Sequence, residues 1–475
     1  MKPIKNKLFL GGISLLALVI SFLFLSSPDL WAQEKVEKTL DPKYSQVFHQ
    51  VLRLIMDRYV DEVDPQVLFD GAMKGMLESL GDPYTVYLDA SDMIGMQDTT
   101  TGEFGGVGMF INKVPPSSLR SDSPFKDQFV EIVSPIEDTP AFRAGIQPGD
   151  YVMAVNSETT AGMTMDRVLG LLRGKPGTEV MLKILRGGEI QLDVKLIRAL
   201  IEVPTVKYAM VEPSWGYLRI IQFTTHTTER VQEALESFSS KDYKGLIIDL
   251  RSNPGGTLDS VVRIGDFFFR DGQIVSTRSR LPGESTVFTA SAKTLVPDTL
   301  PIVVLIDKGS ASASEILAGA LKDRSRAILI GEKTYGKGSV QQIYPYENTG
   351  FKITMARYYT PSGVNIDKIG IEPDLKIENP PLTDVEIESY RKLIKENTIE
   401  TFAKENPQSG PGQIRTFVSK IRSQGVNLDE RVLGRMISSE LNRINNRTPP
   451  VYSLEYDEVL QAGIKVLTEG GLPKS

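Results

Sequence analysis

P-I-V-V-L-I-D-K-G-S-A-S-A-S-E-I-L-A-G-A-L-K-D, residues 301–323, contains the change of period that decides the fold. Pro301 to Ile306 is a short continuous apolar run, as in a strand buried on both faces. Gly309 turns the chain, and Ser310, Ser312 and Ser314, separated by alanines, open an apolar helix. A buried strand followed directly by a helix predicts an α/β layer fold. The alternation continues upstream. G-Y-L-R-I-I-Q-F (216–223) and G-L-I-I-D-L (245–250) read as strands, and E-R-V-Q-E-A-L-E-S-F (229–238) as a helix. The α/β region so defined spans about 199–375.

The flanks differ. Within 34–100, Tyr44, Phe48, Val51, Leu52, Ile55 and Tyr59 recur at helical spacing. A second helical stretch from Asp64 to Leu80 is stopped by Gly81-Asp82-Pro83. Residues 101–198 are short β-like runs punctuated by glycine. They contain one short helix, Thr164–Leu172, striped by Met165, Val168, Leu169 and Leu172 and stopped by Gly174. From 376 to 475 the chain is polar and helical. Nothing repeats internally.

Composition narrows the chemistry. A chain of 475 residues allows about three domains, and a net charge of -6 lacks the basic footprint of a nucleic-acid binder. No cysteine and only two histidines exclude thiol nucleophiles, disulfides and Cys-rich zinc sites, leaving His49 and His226 as the imidazoles. At the N-terminus, Lys2, Lys5 and Lys7 precede an uncharged, mostly apolar run from Leu8 to Leu25. Residues 1–33 therefore read as a signal peptide or membrane anchor. The rest is expected in the periplasm or cell envelope, membrane-associated if that segment is retained.

Three stretches combine small residues, polar groups and element ends. In D-L-R-S-N-P-G-G-T-L (249–258), Gly255 and Gly256 at a strand end can present backbone N–H groups to a developing negative charge; a plain Pro-Gly turn is the other reading. The three-serine cluster sits where a helix N-terminus makes an anion site, as an acyl-transfer nucleophile requires. N-capping, with Glu315 completing a capping box to Ser312, is the alternative. G-E-K-T-Y-G-K-G-S (331–339) nearly spells a phosphate-binding loop, but Gly338 occupies the hydroxyl position, and a strand-like run follows where that motif opens a helix. An ATP-dependent enzyme is thereby disfavoured. With His49 on a helix surface and His226 in T-T-H-T-T without an evident orienting carboxylate, Lys337 becomes the candidate base, since burial can lower a lysine pKa.

Two resemblances gather these features. G-V-G-M (106–109), S-P-I-E-D-T-P-A-F-R-A-G-I-Q-P-G-D (134–150) and R-G-K-P-G-T (173–178), in that order, resemble a PDZ domain, with an insertion at 113–124. Its glycine-rich loop would turn the N–H groups of Val107, Gly108 and Met109 toward a peptide carboxylate, and the next strand would accept the peptide. G-Y-L-R-I, D-L-R-S-N-P-G-G, G-S-A-S-A-S-E-I-L-A-G-A-L-K-D, G-K-G-S-V-Q and A-R-Y-Y-T-P-S-G, also in order, resemble the carboxy-terminal processing, or tail-specific, serine proteases. The likeness covers residues 40–375, some seven-tenths of the chain.

That resemblance implies an α/β core related to crotonase and Clp-type peptidases, with an inserted PDZ domain and helical N- and C-terminal segments. It implies Ser312 as nucleophile, Lys337 as base and Gln341 as the residue positioning the lysine. The oxyanion donors would be the N–H groups of Ala313 and Gly256, the latter preferred over Gly255, and no cofactor or metal would be needed. None of these positions is substituted. Protein or peptide C-terminal tails are the implied partners, with Arg173 beside the PDZ groove sensing their carboxylate. A homo-oligomer formed through the terminal helices and an adaptor protein are further expected partners. The principal rival is a non-catalytic PDZ adaptor of the envelope.

Overall fold

The computed structural model describes residues 41–112, 129–136, 139–147, 149–163, 165–186, 190–281, 283–292, 294–378, 383–445, 447 and 449–471. The apolar N-terminal run and the insertion at 113–124 lie outside them. Among the described residues, no helix is long and apolar enough to cross a membrane.

The chain divides into two compact units, with the break after Gly75. The first contains α1 (Pro42–Arg58) and most of α2 (Pro65–Glu78). Asp41 caps α1 through Lys43 N at 3.0 Å, with proline at the first helical position. No residue of α1 is buried; Tyr44, Val47, Val51 and Leu54 all expose their apolar surface.

The second unit opens with β1 (Val86–Leu88), α3 (Ala90–Thr101) and β2 (Glu103–Gly106). The β-rich domain follows as β3 (Met109–Asn112), β4 (Val130–Pro135), α4 (Pro140–Arg143), β5 (Tyr151–Val155), β6 (Glu158–Thr159), α5 (Met165–Leu172), β7 (Glu179–Arg186) and β8 (Ile190–Ile197). Its strands run in the order β3-β4-β5-β7-β8, with β6 on β5. Val168 and Leu172 of α5 join Val130, Ile132, Val152 and Leu182 in a closed core. The exit strand β9 (Ala199–Glu202) pairs antiparallel with the entry strand β2, from Glu103↔Glu202 to Gly106↔Ala199. This two-stranded neck makes the domain an insertion.

The α/β layer is built from β10 (Val206–Val211), β11 (Trp215–Ile220), α6 (Thr227–Ser239), β12 (Gly245–Asp249) and α7 (Leu258–Asp266). After β13 (Gln273–Ser279) and β14 (Thr286–Thr289) it resumes with β15 (Ile302–Ile306), α8 (Ala313–Asp323) and β16 (Ile328–Gly331). Then come β17 (Ser339–Tyr346), β18 (Thr349–Tyr359) and β19 (Leu375–Lys376). The main sheet is ordered β10-β11-β12-β15-β16-β19 and is parallel from β11 onward. Because side chains alternate along a strand, one face (Leu218, Leu246, Ile248, Val304) packs on α6, α7 and α8. The other (Tyr217, Ile247, Val303, Leu305, Ile330) needs a separate cover. A second, antiparallel sheet, β1-β18-β13-β14 with β17 on β18, stands beside the layer.

The C-terminal region supplies that cover. Helices α9 (Asp384–Lys395), α10 (Thr398–Glu405), α11 (Pro411–Ser423) and α12 (Glu430–Ile444) share a core of their own around Leu393, Ile414, Val418, Leu433 and Ile437. The last helix, α13 (Glu458–Glu469), leaves them and lays Val459, Leu460, Val466 and Leu467 on the open face of the sheet.

Candidate active site

The site lies where two loops leave the carboxyl ends of β12 and β15, the edge at which parallel sheets place their ligands. Of the three serines after β15, the outer two are structural. Ser310 Oγ donates to Leu250 O at 2.8 Å and Ser314 Oγ to Asn253 O at 3.0 Å, tying the serine turn to the loop after β12. Asp307 completes the tie by accepting from Ser252 N at 2.8 Å. Ser312 differs from both. It caps α8 with φ 55° and ψ -112°, and its side chain makes no capping bond. A serine at positive φ is strained. Its N–H donates to Glu315 Oε2 at 2.8 Å, so only the glutamate half of the expected capping box forms.

The loop after β12 is organised by Asn253, which is wholly buried. Its Nδ2 donates to Ile220 O at 2.8 Å, and its Oδ1 accepts from Gly255 N at 2.9 Å. Both glycines are obligatory. A Cβ on Gly255, at φ +99°, would stand 2.7 Å from Ser312 Cβ, and one on Gly256, at φ +146°, would stand 1.8 Å from Phe223 O. With Gly255 N–H held by Asn253, the N–H groups of Gly256 and Ala313 make no hydrogen bond among the described residues.

Lys337 reaches the site through the same carboxylate. Glu315, fully buried, accepts at Oε1 from Thr334 Oγ1 at 2.5 Å and Gly336 N at 2.7 Å. Its Oε2 accepts from Lys337 N at 2.8 Å as well as from Ser312 N. The backbones of Ser312 and Lys337 therefore sit within two hydrogen-bond lengths of each other. The flanking glycines serve close approach: a Cβ on Gly338 would fall 2.1 Å from Asp367 N, and Gly336 holds φ +89°. Burial pushes the Glu315 carboxyl up, against the downward pull of its four donors.

The Lys337 side chain is turned elsewhere. Its Nζ lies 4.9 Å from the ring centroid of Tyr84, and no hydrogen bond joins it to Ser312 Oγ. Burial pulls the ammonium below its ordinary pKa; nearby Lys352 adds to this and Glu315 opposes it. Tyr84 is itself pushed up to about 12 by burial and by its neighbour Tyr335. The Gln341 amide donates to Ser339 Oγ at 2.8 Å and Thr354 Oγ1 at 3.4 Å, not to Lys337. The structure thus brings Ser312, Ala313, Gly255 and Lys337 together, with Gly256 on the adjoining bend, and leaves Gln341 on a different partner.

The histidines stand apart. His49 Nδ1 bonds within its own helix, to Ser45 O at 2.7 Å. His226 does have a carboxylate, Glu103 of β2, 3.2 Å from Nε2, which its threonine-rich surroundings gave no hint of. In the inserted domain, the G-V-G-M loop is pinned through its carbonyls. Val107 O accepts from Ala141 N at 2.8 Å, and Gly108 O from Ile136 N at 3.0 Å and Thr139 Oγ1 at 2.9 Å. A Cβ on Gly108 would meet Thr139 at 2.3 Å. Met109 begins β3, opposite Pro135. Arg173, just past α5, faces the neck: it pairs with Asp98 of α3 at 2.8 Å and lies over the Phe104 ring at 5.4 Å.

A strand–turn–helix that strains a serine beside backbone donors unpaired among the described residues is an arrangement suited to acyl transfer, and comparison with known proteins supplies the class. The model for peptidase family S41 matches residues 214–377, a PDZ model matches 131–186, and the N-terminal domain model of the activating protease CtpB matches 26–92. The chain is 40% identical over 390 residues to a carboxy-terminal-processing protease of Bartonella bacilliformis, covering 81% of this chain and 86% of the relative. It is 34% identical over 380 residues to CtpA of Bacillus subtilis, covering 79% and 78%. Among solved structures, the photosystem II D1 C-terminal processing protease matches with 27% identity and a TM-score of 0.42, over 74% of this chain and 97% of that one. The chain belongs to the carboxy-terminal processing proteases, serine-type peptidases of family S41 that carry a PDZ domain.

Proposed function

We propose that the chain is a cell-envelope endopeptidase that cleaves proteins recognised near their C-termini, using Ser312 and Lys337 as a dyad. The observation that carries this reading is the shared carboxylate: Ser312 N and Lys337 N both donate to Glu315 Oε2 at 2.8 Å. Neutral Lys337 takes the Ser312 proton as Oγ attacks the scissile carbonyl, a variant of the serine–base pair. The oxyanion rests on Gly256 and Ala313 N–H, each worth about 3 kcal/mol by analogy with other oxyanion donors. The lysine ammonium then gives its proton to the departing amine, and water, deprotonated by Lys337, hydrolyses the acyl-enzyme. Gln341 would steady the lysine once its amide leaves Ser339.

Substrate tails bind beside Val107, Gly108 and Met109, and their carboxylate competes with Asp98 for Arg173. The core is of the crotonase and Clp-peptidase type; its support is the parallel run β11-β12-β15-β16 with the serine turn at its carboxyl edge. The exposed apolar side chains of α1 favour pairing with a second copy. Export rests on the apolar run from Leu8 to Leu25.

Ser312→Ala and Lys337→Ala should each abolish peptide hydrolysis, and a serine-reactive probe should label the unaltered chain but not Ser312→Ala. Substantial turnover by either variant overturns the dyad; an unlabelled Ser312 in the unaltered chain would favour a non-catalytic adaptor.

A further inference from the structure

The loop that carries Gly256 is held from an unexpected direction. Arg251, two residues past the end of β12, is gripped by two carboxylates. Its Nε lies 2.9 Å from Asp249 Oδ1 and its Nη2 2.5 Å from Asp249 Oδ2. Its Nη1 lies 2.8 Å from Asp457 Oδ1 and its Nη2 2.7 Å from Asp457 Oδ2. Asp249 is wholly buried and also accepts from Tyr217 Oη at 2.6 Å. Bidentate pairs of this kind fix direction as well as distance. Asp457 comes from the far end of the chain, as the N-cap of α13, where it accepts from Leu460 N at 3.0 Å.

The ion pair is not needed merely to attach α13. Val459, Leu460, Val466 and Leu467 already bury that helix on the sheet, and such apolar contact is the larger source of adhesion. What Asp457 adds is position. From Arg251 a short run of fixed groups leads to the reacting atoms: Ser252 N is held by Asp307, and Asn253 holds Gly255 N and Ile220 O. Asn253 O in turn accepts from Ala311 N at 3.0 Å, beside Ser312.

We infer that Asp457 is a positioning residue for the oxyanion loop, so that docking of the C-terminal helix sets the geometry of Gly256 through Arg251. The inference rests on the peptidase reading of Ser312, which Ser312→Ala tests separately. Beside the clamp lies a polar cavity of about 220 Å3, lined in part by Arg219, Asp249, Arg251, Asp307 and Arg435. It is large enough to admit a small carboxylate to Arg251.

The test uses the full chain. Asp457→Asn keeps the helix cap, because asparagine caps as well as aspartate, but offers Arg251 a single acceptor. Its kcat should fall about 10- to 100-fold, the effect of a small misplacement at a catalytic centre, with KM within about threefold and an unfolding midpoint near that of the unaltered chain. In Asp457→Ser, which retains a shorter cap, sodium formate should restore part of the lost kcat saturably while leaving the unaltered chain unaffected. An unchanged kcat in Asp457→Asn, or a loss in Asp457→Ser that formate leaves untouched, overturns the inference.

Discussion

Ser312 and Lys337 meet at one carboxylate, yet their surroundings are finished to different degrees. Around the serine, the outer hydroxyls are bonded to Leu250 O and Asn253 O and Gly255 N–H is held by Asn253, while of the three serine hydroxyls that of Ser312 makes no such bond among the described residues. Around the lysine, the chain is fixed as firmly through Thr334 Oγ1 and the N–H groups of Gly336 and Lys337. The side chains proposed to act there, however, rest on other partners, Lys337 on the Tyr84 ring and Gln341 on Ser339. Preorganised backbone dipoles are the part of acyl transfer that cannot be assembled cheaply during reaction. A lysine side chain, by contrast, reaches a new partner by rotamer changes alone. If Ser312 and Lys337 act as the proposed dyad, the electrostatic half of the site is built in advance and the proton-transfer half is left adjustable.

The sharpest way to break that comparison is to remove what both halves share. Glu315→Gln retains size but replaces one oxygen by an amide that donates, facing N–H groups that also donate. Hydrogen bonds to a charged acceptor are worth about 1.5–3 kcal/mol each, and here two of them set the spacing of Ser312 and Lys337, the proposed nucleophile and base. Activity should fall about 100-fold or more in steady-state assays. A variant that remains folded and turns over at the normal rate would show that Glu315 is only a helix cap.

That carboxylate also marks the limit of what the linear sequence discloses. The three-serine turn, the strand before it and the glycine-flanked lysine are all visible locally, because each is a short pattern with its own backbone chemistry. Glu315 is visible only as a capping-box partner of Ser312. Its bonds to Thr334, Gly336 and Lys337 cross from a helix to a strand entry, and no periodicity reports such a crossing. The same holds for Arg251 with Asp457, and for His226 with Glu103. Helix α13 covering the sheet is equally silent, since its apolar stripe states that it packs but not on what. In the sequence Gly338 shows only as the residue that breaks the phosphate-loop pattern, whereas the structure shows its close approach to Asp367.

The inserted domain offers a milder contrast with the core. Its Arg173 is held by a single, partly exposed ion pair to Asp98, while Arg251 is held by two carboxylates at the carboxyl edge of the sheet. Burial raises the Asp98 carboxyl and Arg173 pulls it back. A pair of this exposure is worth about 1 kcal/mol or less, so an incoming peptide carboxylate can displace it. Asp98→Asn should lower the concentration of tail peptide needed for half-maximal activation by up to about fivefold, read from activation curves with a C-terminal peptide. Arg173→Ala should remove the activation; tail-dependent activation that survives it would separate the neck from substrate sensing.

The smallest expected effect concerns how Lys337 is kept ready. Burial and the like charge of Lys352 both lower its pKa, so its neutral amine, the proposed base, persists to a pH below the ordinary lysine range. Activity should therefore rise with pH along an acid limb set by this group, and fall as the ammonium forms. The Tyr84 face acts in the opposite sense, since an aromatic ring attracts the ammonium and not the amine. Tyr84→Leu keeps an apolar cover but removes the ring, so the acid limb of kcat/KM should move down by about half a pH unit, as a contact of 0.5–1 kcal/mol implies. Tyr84→Phe, which keeps the ring, should leave it in place. Lys352→Gln removes the like charge and should move the limb upward. Opposite shifts from Tyr84 and Lys352 would identify Lys337 as the group that titrates, because its amine lies over the Tyr84 ring and feels the Lys352 charge. A limb that ignores both substitutions would assign the titration, and with it the base, to a different residue.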